Sequence, residues 1–509
     1  MTLPKDFEEY TRSVLGPSRY DHLVAALTTD PPVSLRLNTT KQKDITGLND
    51  RVPWCATGFY LASRPAFTFD PLLHAGVYYV QEASSMFVCE VLRQLVHEPV
   101  AMLDLCSAPG GKSTAALSVL PEGSLVVSNE PIATRASILT ENIQKWGSPN
   151  TMVTRNYPQD YAKSGLLFDV ILTDVPCSGE GMFRKDPNAV KEWSAQHVKE
   201  CTALQREIVE QAWKCLRPGG LLIYSTCTIN LHEDEENVGW ICKHLGAEPQ
   251  PIKIPEEWGI AEGLTRQLST TADIPADTLA TTETSDEDCP LYPVVPDGRY
   301  IFRFIPGETR GEGLFMAILR KPGEQSNVLR QMAAGLQKGD KKGRSQKHCK
   351  VPDNKAIKTN PDTLLTKLYN CGTYAVRTDA DVYRAIPSSW LPLYDIAANR
   401  LHILHAGVPL GMVKGRDILP SPALALSTAL LPEAFPRVEL DYQDALSYLR
   451  REAVRLPDTT PKGYVVVCYH GHPLGLEKNM GNRANNIYPM EWRIKSTHLP
   501  EQPVEIIKE

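Results

Sequence analysis

Short apolar runs of strand length alternate with longer amphipathic stretches through the middle of the chain. MLDLC (102–106), SLVVSNE (124–130), FDVILTDVPC (168–177) and GLLIYSTC (220–227) predict buried strands, and GLFMAILRK (313–321) predicts a last one. Between them, apolar spacing over 112–120, 132–146, 194–216 and 233–245 predicts helices. This alternation predicts an α/β core over 76–321, a parallel sheet covered by helices on both faces. Ligands of such sheets sit at the carboxyl ends of the strands, so chemistry is sought just past each strand.

The flanks follow other patterns. Residues 1–75 open with a predicted helix over 4–15 and an extended VSLRLNTTK (33–41). Residues 263–290 hold few large apolar side chains and the acidic string SDEDC (285–289), which predicts a solvated insertion. Residues 322–360 have linker composition; their basic run GDKKGRSQKHCK (339–350) suits a solvated tether and a phosphate contact equally. After a segment over 361–400, two strand–turn–strand units at 408–427 and 462–495 bracket a predicted helix near 442–455. Together they predict a small β-barrel over 401–509. Both units contain the phrase Pro-Leu-Gly, which predicts related turns.

Composition narrows the class. The chain has 509 residues, 42 % apolar and 22 % charged, an ordinary globular balance spread over several domains. No run approaches the ~18 apolar residues of a membrane span, and MTLPKDFEEY has acidic residues where an export signal needs an apolar core. Twelve cysteines, none spaced as CxxC, argue against a disulfide scaffold or zinc ribbon and predict reduced thiols in the cytoplasm. The net charge of −6 is uneven: residues 1–320 carry 28 Lys and Arg against 41 Asp and Glu, and residues 321–360 carry 10 against 3. Global charge therefore gives no support to a nucleic-acid partner, and it excludes none, because binding depends on local patches.

Candidate chemistry clusters at the predicted strand ends. In LDLCSAPGGKS (103–113) a strand ends, a glycine loop turns and a helix begins, so free backbone amides can meet a polar ligand. The loop is neither the dinucleotide fingerprint nor a P-loop. Glu130 closes the next strand, 19 residues beyond Gly111, where an acidic group accepts hydrogen bonds from ribose hydroxyls. A nucleoside ligand such as S-adenosylmethionine satisfies both features. Cys177 in TDVPCSGEG and Cys227 in YSTCT each lie just past a predicted strand, with Asp174 nearby. A thiolate adding to carbon 6 of a pyrimidine makes carbon 5 nucleophilic, while a carboxylate can hold the ring nitrogen. Two such cysteines at neighbouring strand ends favour this covalent chemistry over a role as buried hydrophobes. His470 and His472 lack a third ligand, so no metal site is expected. The acidic HEDEEN string (232–237) predicts a solvated first helical turn, and Arg184 and Lys185 are candidates for substrate phosphates.

The motifs LDLCSAPGGK, DVPCSGEGMFRKDP and YSTCTINLHEDEENV, with YYVQEASSM upstream, resemble the Sun-type (nucleolar-protein-like) RNA cytosine-5 methyltransferases in order and separation. GEGMFRKDP and the C-terminal VPLGMVKGR and PLGLEKN are most similar to the bacterial small-subunit rRNA methyltransferase F branch. The resemblance implies a Rossmann-like S-adenosylmethionine-dependent core, an N-terminal RNA-binding segment and a C-terminal PUA-like RNA-binding domain. It implies that Cys106, Ser107, Ala108, Pro109, Gly110, Gly111 and Lys112 contact S-adenosylmethionine, Glu130 its ribose, and Asp174 the methyl-donor and base region. It further implies that Cys227 is the nucleophile and that Cys177 assists product release. The family's usual acidic residue near the adenine aligns with Tyr157, so the adenine contact is unassigned. The expected product is 5-methylcytidine in 16S rRNA, made by a monomer acting on naked RNA or the small subunit. The same reaction on tRNA and an inactive ribosome-assembly factor are the alternatives; the retained Cys227, Asp174 and glycine loop speak against the latter.

Overall fold

A computed structural model describes residues 2–43, 47–264, 292–295, 298–324, 327–329, 361–379, 381–414, 417–496 and 498–507. Nearly all of the acidic insertion and most of the basic linker lie outside these residues. Among the described residues no helix is long and apolar enough to cross a membrane.

The N-terminal part carries helices Lys5–Leu15 and Pro17–Leu27 and an antiparallel sheet of β1 (Val33–Leu37), β2 (Gly58–Leu61) and β3 (Tyr78–Val80), in the order β2-β1-β3. The second helix is absent from the sequence reading. Gly16 and Pro17 suggest a stop, yet Pro17 occupies the first helical turn, where no backbone donor is needed.

The central sheet contains β4 (Ala101–Asp104), β5 (Leu125–Asn129), β6 (Thr151–Thr154), β7 (Phe168–Asp174), β8 (Leu216–Thr226), the short β9 (Glu248–Pro249), β10 (Ile301–Phe304) and β11 (Leu314–Arg320). Its order is β10-β11-β8-β7-β4-β5-β6, with β9 on β11. The five strands from β8 to β6 are parallel, whereas β11 runs antiparallel to β8 and β10 to β11. The sheet is thus mixed, with its parallel part at the centre. Alternation along each strand feeds two cores. Leu103, Val127, Ile171 and Leu222 pack on one face with Ile208 and Ala212 of helix Ala195–Cys215 and Val238 of helix Glu235–Leu245. Met102, Val126, Val170 and Ile223 pack on the other with Val91 of helix Val88–Leu95 and Ala115 of helix Gly111–Val119. This period-two division is what buried strands in a doubly covered sheet require.

The C-terminal part adds β12 (Tyr374–Asp379), β13 (Val382–Pro387), β14 (Ile403–Ala406), β15 (Val408–Lys414), β16 (Asp417–Pro420), β17 (Arg437–Glu439), β18 (Gly463–Tyr469), β19 (His472–Asn479) and β20 (Ala484–Asn486). They form two four-stranded sheets, β12-β13-β15-β16 and β17-β18-β19-β20, whose Ala385, Val408 and Leu410 share one core with Val466, Cys468 and Leu476. Neither half stands apart from the rest of the molecule. β14 pairs antiparallel with β6 and extends the central sheet. Val465, Leu446 and Tyr488 pack with Leu35, Leu37 and Tyr78 of the N-terminal sheet.

The two Pro-Leu-Gly phrases are strand bulges, not turns. Arg384 faces Pro409 and Tyr383 faces Gly411; likewise Cys468 faces Pro473 and Val467 faces Gly475. Leu410 and Leu474 are thus the extra residues, and both are fully buried. Proline cannot donate to the ladder, so the register slips there and the leucine turns into the core. At Gly475, with φ of 157°, a Cβ would lie 2.3 Å from the Tyr448 hydroxyl, so only glycine fits.

A chain ending at Arg320 loses β14 from the edge of β6 and strips the N-terminal sheet of its apolar cover. Each large side chain so exposed forfeits about 1.5–3 kcal/mol. The fragment is expected to melt more than ~10 °C below the full chain or to aggregate, as differential scanning fluorimetry would show.

Candidate active site

The strand order reverses direction between β4 and β7, and the loops leaving these strands open a crevice at the carboxyl end of the sheet. The glycine loop after β4 is tightly fixed. Leu105 N–H donates to Leu172 O at 3.0 Å, while Ser107 donates through its N–H and its hydroxyl to Asn129 O, both at 2.9 Å. Gly110 N–H returns to Ser107 O at 2.7 Å, and the peptide between Ala108 and Pro109 is cis. Helix Gly111–Val119 then starts with its first amides toward the crevice end of the sheet. Asn129, which the sequence reading missed, joins three strand ends by donating to Leu105 O and Asn156 O and accepting from Thr154 and the Asn156 N–H.

Asp104 lies beneath this loop, fully buried. Its Oδ2 accepts from Ser113 at 2.6 Å, and its Oδ1 has no protein partner. Burial pushes its carboxyl up to about 7, with nearby Asp174 adding to the rise. Glu130 is almost fully buried at the end of β5; it accepts from Ile132 N–H at 3.0 Å and pairs with Arg135 at 3.3 Å. Cys106, raised above the ordinary thiol range chiefly by burial, sits among these carboxylates. Tyr157 follows β6 with its side chain 66 % exposed and its backbone N–H bound to Asp160.

On the other side of the crevice, Lys112 forms an ion pair with Asp174 at 2.8 Å, and the Ser225 hydroxyl donates to the second oxygen of Asp174 at 2.7 Å. Burial opposes the charge of Lys112, but Asp174 and Asp104 outweigh it and raise its pKa. Cys177 Sγ lies 3.0 Å from Cys227 Sγ. Hydrogen bonding to Cys227, followed by burial, holds the Cys177 thiol well above its ordinary range. Gly181 allows the two cysteine loops to meet. Its N–H donates to Cys227 O at 2.6 Å, and a Cβ there would lie 2.7 Å from that oxygen.

Two buried glutamates hold the loops from opposite sides. Glu180, beyond the Pro-Cys motif, accepts from the N–H groups of Ile229 and Asn230, the Asn230 amide and the Trp193 indole. Glu233, beyond the Thr-Cys motif, accepts from Ser178 through its N–H and hydroxyl, and from Gln205 and Asn230. Arg303 on β10 donates to Glu235, pairs with Asp234 at 3.1 Å and donates to Ile229 O at 2.8 Å. The acidic string is therefore interior at its centre: Glu233, Asp234 and Glu235 are all fully buried. The expected solvated turn is overturned because each carboxylate finds donors or a cation that lie elsewhere in the chain. Arg184 is likewise internal; it pairs with Glu312 at 3.0 Å and donates to Ala26 O and Gly311 O, whereas Lys185 is exposed. The structure thus brings together Cys106–Lys112, Glu130, Asp174, Cys177 and Cys227 around one crevice. Among the described residues there is no group of three or more potential metal ligands.

Burial, and Glu180 beside it, push the Glu233 carboxyl from 4.5 up to about 7. A carboxyl raised on folding stabilises the native state fully below its unfolded value, and that contribution is lost as pH climbs through the folded value. Wild-type stability should therefore fall relative to Glu233→Gln between pH 4.5 and 7, by on the order of 2–3 kcal/mol. Urea melts of both proteins across that range would check this.

Family models agree with this architecture. The model of the 16S rRNA methyltransferase RsmB/F family matches residues 92–320, that of the N-terminal domain of 16S rRNA methyltransferase RsmF matches 3–83, and that of the methyltransferase RsmF PUA domain matches 435–494. Ribosomal RNA small subunit methyltransferase F of Aliivibrio fischeri (strain MJ11) is 31 % identical over 489 residues, covering 92 % of this chain and 93 % of the relative. The protein of the same name from Klebsiella pneumoniae is 29 % identical, covering 93 % and 92 %. Among solved structures, a methyltransferase homolog from Pyrococcus horikoshii shares the fold, with a TM-score of 0.50 and 24 % identity over 62 % of this chain and 95 % of its own. With the likeness running through all three parts of the molecule, this chain belongs to the ribosomal RNA small subunit methyltransferase F family.

Proposed function

We propose that this protein is an S-adenosylmethionine-dependent methyltransferase forming 5-methylcytidine in 16S rRNA, as a cytoplasmic monomer. The observation that carries the reading is the pair of thiols 3.0 Å apart at the ends of adjacent parallel strands, beside the Lys112–Asp174–Ser225 chain.

The crevice suits the cofactor. Asp104 offers a buried, unpartnered carboxylate oxygen for an ammonium group. Both Glu130 oxygens keep a lone pair for ribose hydroxyls after their present contacts. The loop from Cys106 to Lys112, through Ser107, Ala108, Pro109, Gly110 and Gly111, would wrap the amino-acid end, with exposed Ile132 and Tyr157 flanking the adenine. When bound, S-adenosylmethionine supplies the electrophilic methyl group that carbon 5 acquires.

The chain's own groups account for the rest. The cytosine must leave its stack before a thiol reaches it. The Cys227 thiolate adds to carbon 6, and the pyrimidine electrons move to carbon 5. Asp174, fixed by Lys112 and Ser225, would hold ring nitrogen 3 during this addition. Release requires removal of the carbon 5 proton, whose bonding pair restores the ring double bond as the C6–S bond breaks. Cys177, adjacent to Cys227, is the group proposed to assist that step.

Bisulfite sequencing of rRNA and tRNA from a deletion strain and its parent should show a cytosine signal lost from 16S rRNA alone. Loss from tRNA instead would reassign the substrate. In vitro, Cys227→Ala should abolish both methylation and the covalent RNA adduct. Cys177→Ala should form the adduct and fail to resolve it, leaving a protein–RNA species on denaturing gels. The reverse pattern would exchange the two roles.

A further inference from the structure

A second cavity opens beside the cysteine loops. It encloses about 760 Å³, within the roughly 300–1,000 Å³ typical of ligand sites, and is lined among others by Thr29, Asp30, Arg64, Arg184, Thr309 and Arg310. Three guanidinium groups line it; Arg184 is neutralised by buried Glu312, while Arg310 shares Asp50 at the surface and Arg64 stands exposed near Asp30. Its walls are the end of helix Pro17–Leu27, the start of β1, the end of β2 and the β10–β11 turn. That turn lies at the same end of the sheet as the catalytic cysteines, because Phe315 on β11 pairs with Thr226, one residue before Cys227. The cavity adjoins the cysteine loops along the chain: its lining residues Arg184 and Gly311 stand a few residues from Gly181 and Gly313, and a Cβ at Gly181 would meet Cys227 O at 2.7 Å and Gly313 O at 3.0 Å.

The cavity is built rather than incidental. Arg184, with a side chain 6 % exposed, ties its walls together by donating to Ala26 O and Gly311 O while pairing with Glu312. Arg310 lies 3.9 Å over the Tyr60 ring and gives Nη1 to Asp50 at the surface, a weak exposed pair that leaves its other donors for an anion. Arg64 is exposed, stands 5.7 Å over Phe67 and makes no ion pair among the described residues. Aromatic supports hold both guanidinium planes and limit the entropy lost when they bind an anion.

We infer that this cavity seats the RNA strand immediately flanking the target cytosine, with Arg64 and Arg310 contacting its phosphates. The inference rests on the RNA-methylating reading and adds a subsite to it. A strand whose cytosine is turned toward Cys227 needs a seat for its flanking nucleotides, and the arginine-lined cavity adjoins the Gly181–Gly313 contact beside that cysteine. Arg184 acts as a positioning residue that holds the walls in register.

The test compares the full-length protein with Arg64→Gln, Arg310→Gln, the double variant and the charge-preserving Arg64→Lys. A 16S rRNA transcript and small ribosomal subunits from a deletion strain serve as probes for steady-state methylation and for binding across a range of KCl. Each Gln variant should raise KM about three- to tenfold, with the loss in KM rather than in the single-turnover rate at saturating RNA. The double variant should lower the salt slope of log K by about 1.4, two single-strand phosphate contacts, and Arg64→Lys should retain it. Equal melting temperatures would separate this result from misfolding. An unchanged KM and salt slope in the double variant, with the wild type methylating at least one probe, would overturn the cavity assignment alone. A wild type that neither binds nor methylates either probe would overturn the underlying reading as well.

Discussion

Glu180 and Glu233 reach across the gap between two loops, each carboxylate capping backbone amides that belong to the other's loop. This reciprocal exchange sets the distance between Cys177 and Cys227. Free loops after strands would sample many separations, and two sulfur atoms 3.0 Å apart would be one arrangement among them. Charge-assisted bonds in a buried setting are roughly twice as strong as neutral ones, so several of them can hold the pair against that entropy. The cost is the desolvation of two neighbouring carboxylates, visible in the raised Glu233. Arg303 offsets part of an equivalent cost next door, neutralising Asp234 and Glu235 from the far side of the β11 strand.

The carboxyl-end crevice depends on the same logic. Asp174 is shared between Lys112, from the glycine loop, and Ser225, from β8, so the glycine loop and the two cysteine loops are mechanically one object. A shift of any of the three strands would be felt at all of them. Evenly packed cores on both sheet faces resist such shifts. Rigid strands carry Asp174 and lead directly into both cysteine loops, and irregular backbone is confined to the segments where close approach is needed.

Strand ends and the residues just past them were legible because they depend on local pattern. The four central strands named from apolar runs all occur, and their helices match within a few residues. The glycine loop, Glu130, Asp174 and both cysteines meet at one crevice for the same reason: a βα repeat puts successive strand ends side by side. What escaped reading depends on partners far along the chain. The HEDEEN carboxylates look solvated until Arg303, some seventy residues away, comes into view. Arg184 looks free until Glu312 is found 128 residues later. The two Pro-Leu-Gly bulges look like turns because proline and glycine punctuate both; only the strand opposite reveals a slipped register. β6 and β14 are short and carry polar residues, so their apolar runs are too weak to stand out.

The pairing of Ile403 with Thr154 has a consequence for how the chain comes to be folded. On a ribosome, β6 emerges long before its antiparallel neighbour, since about 250 residues separate the two strands. At roughly 5–20 residues per second the catalytic sheet carries an open edge for some 10–50 seconds of synthesis. Thr154, Met152 and Val153 would otherwise offer a bare template for a second nascent chain. A brief exposure is tolerable, but it makes the completion of the sheet contingent on synthesis reaching residue 406. The catalytic part of the enzyme is therefore finished by a strand from its C-terminal part: a chain released before residue 403 carries an unfinished sheet.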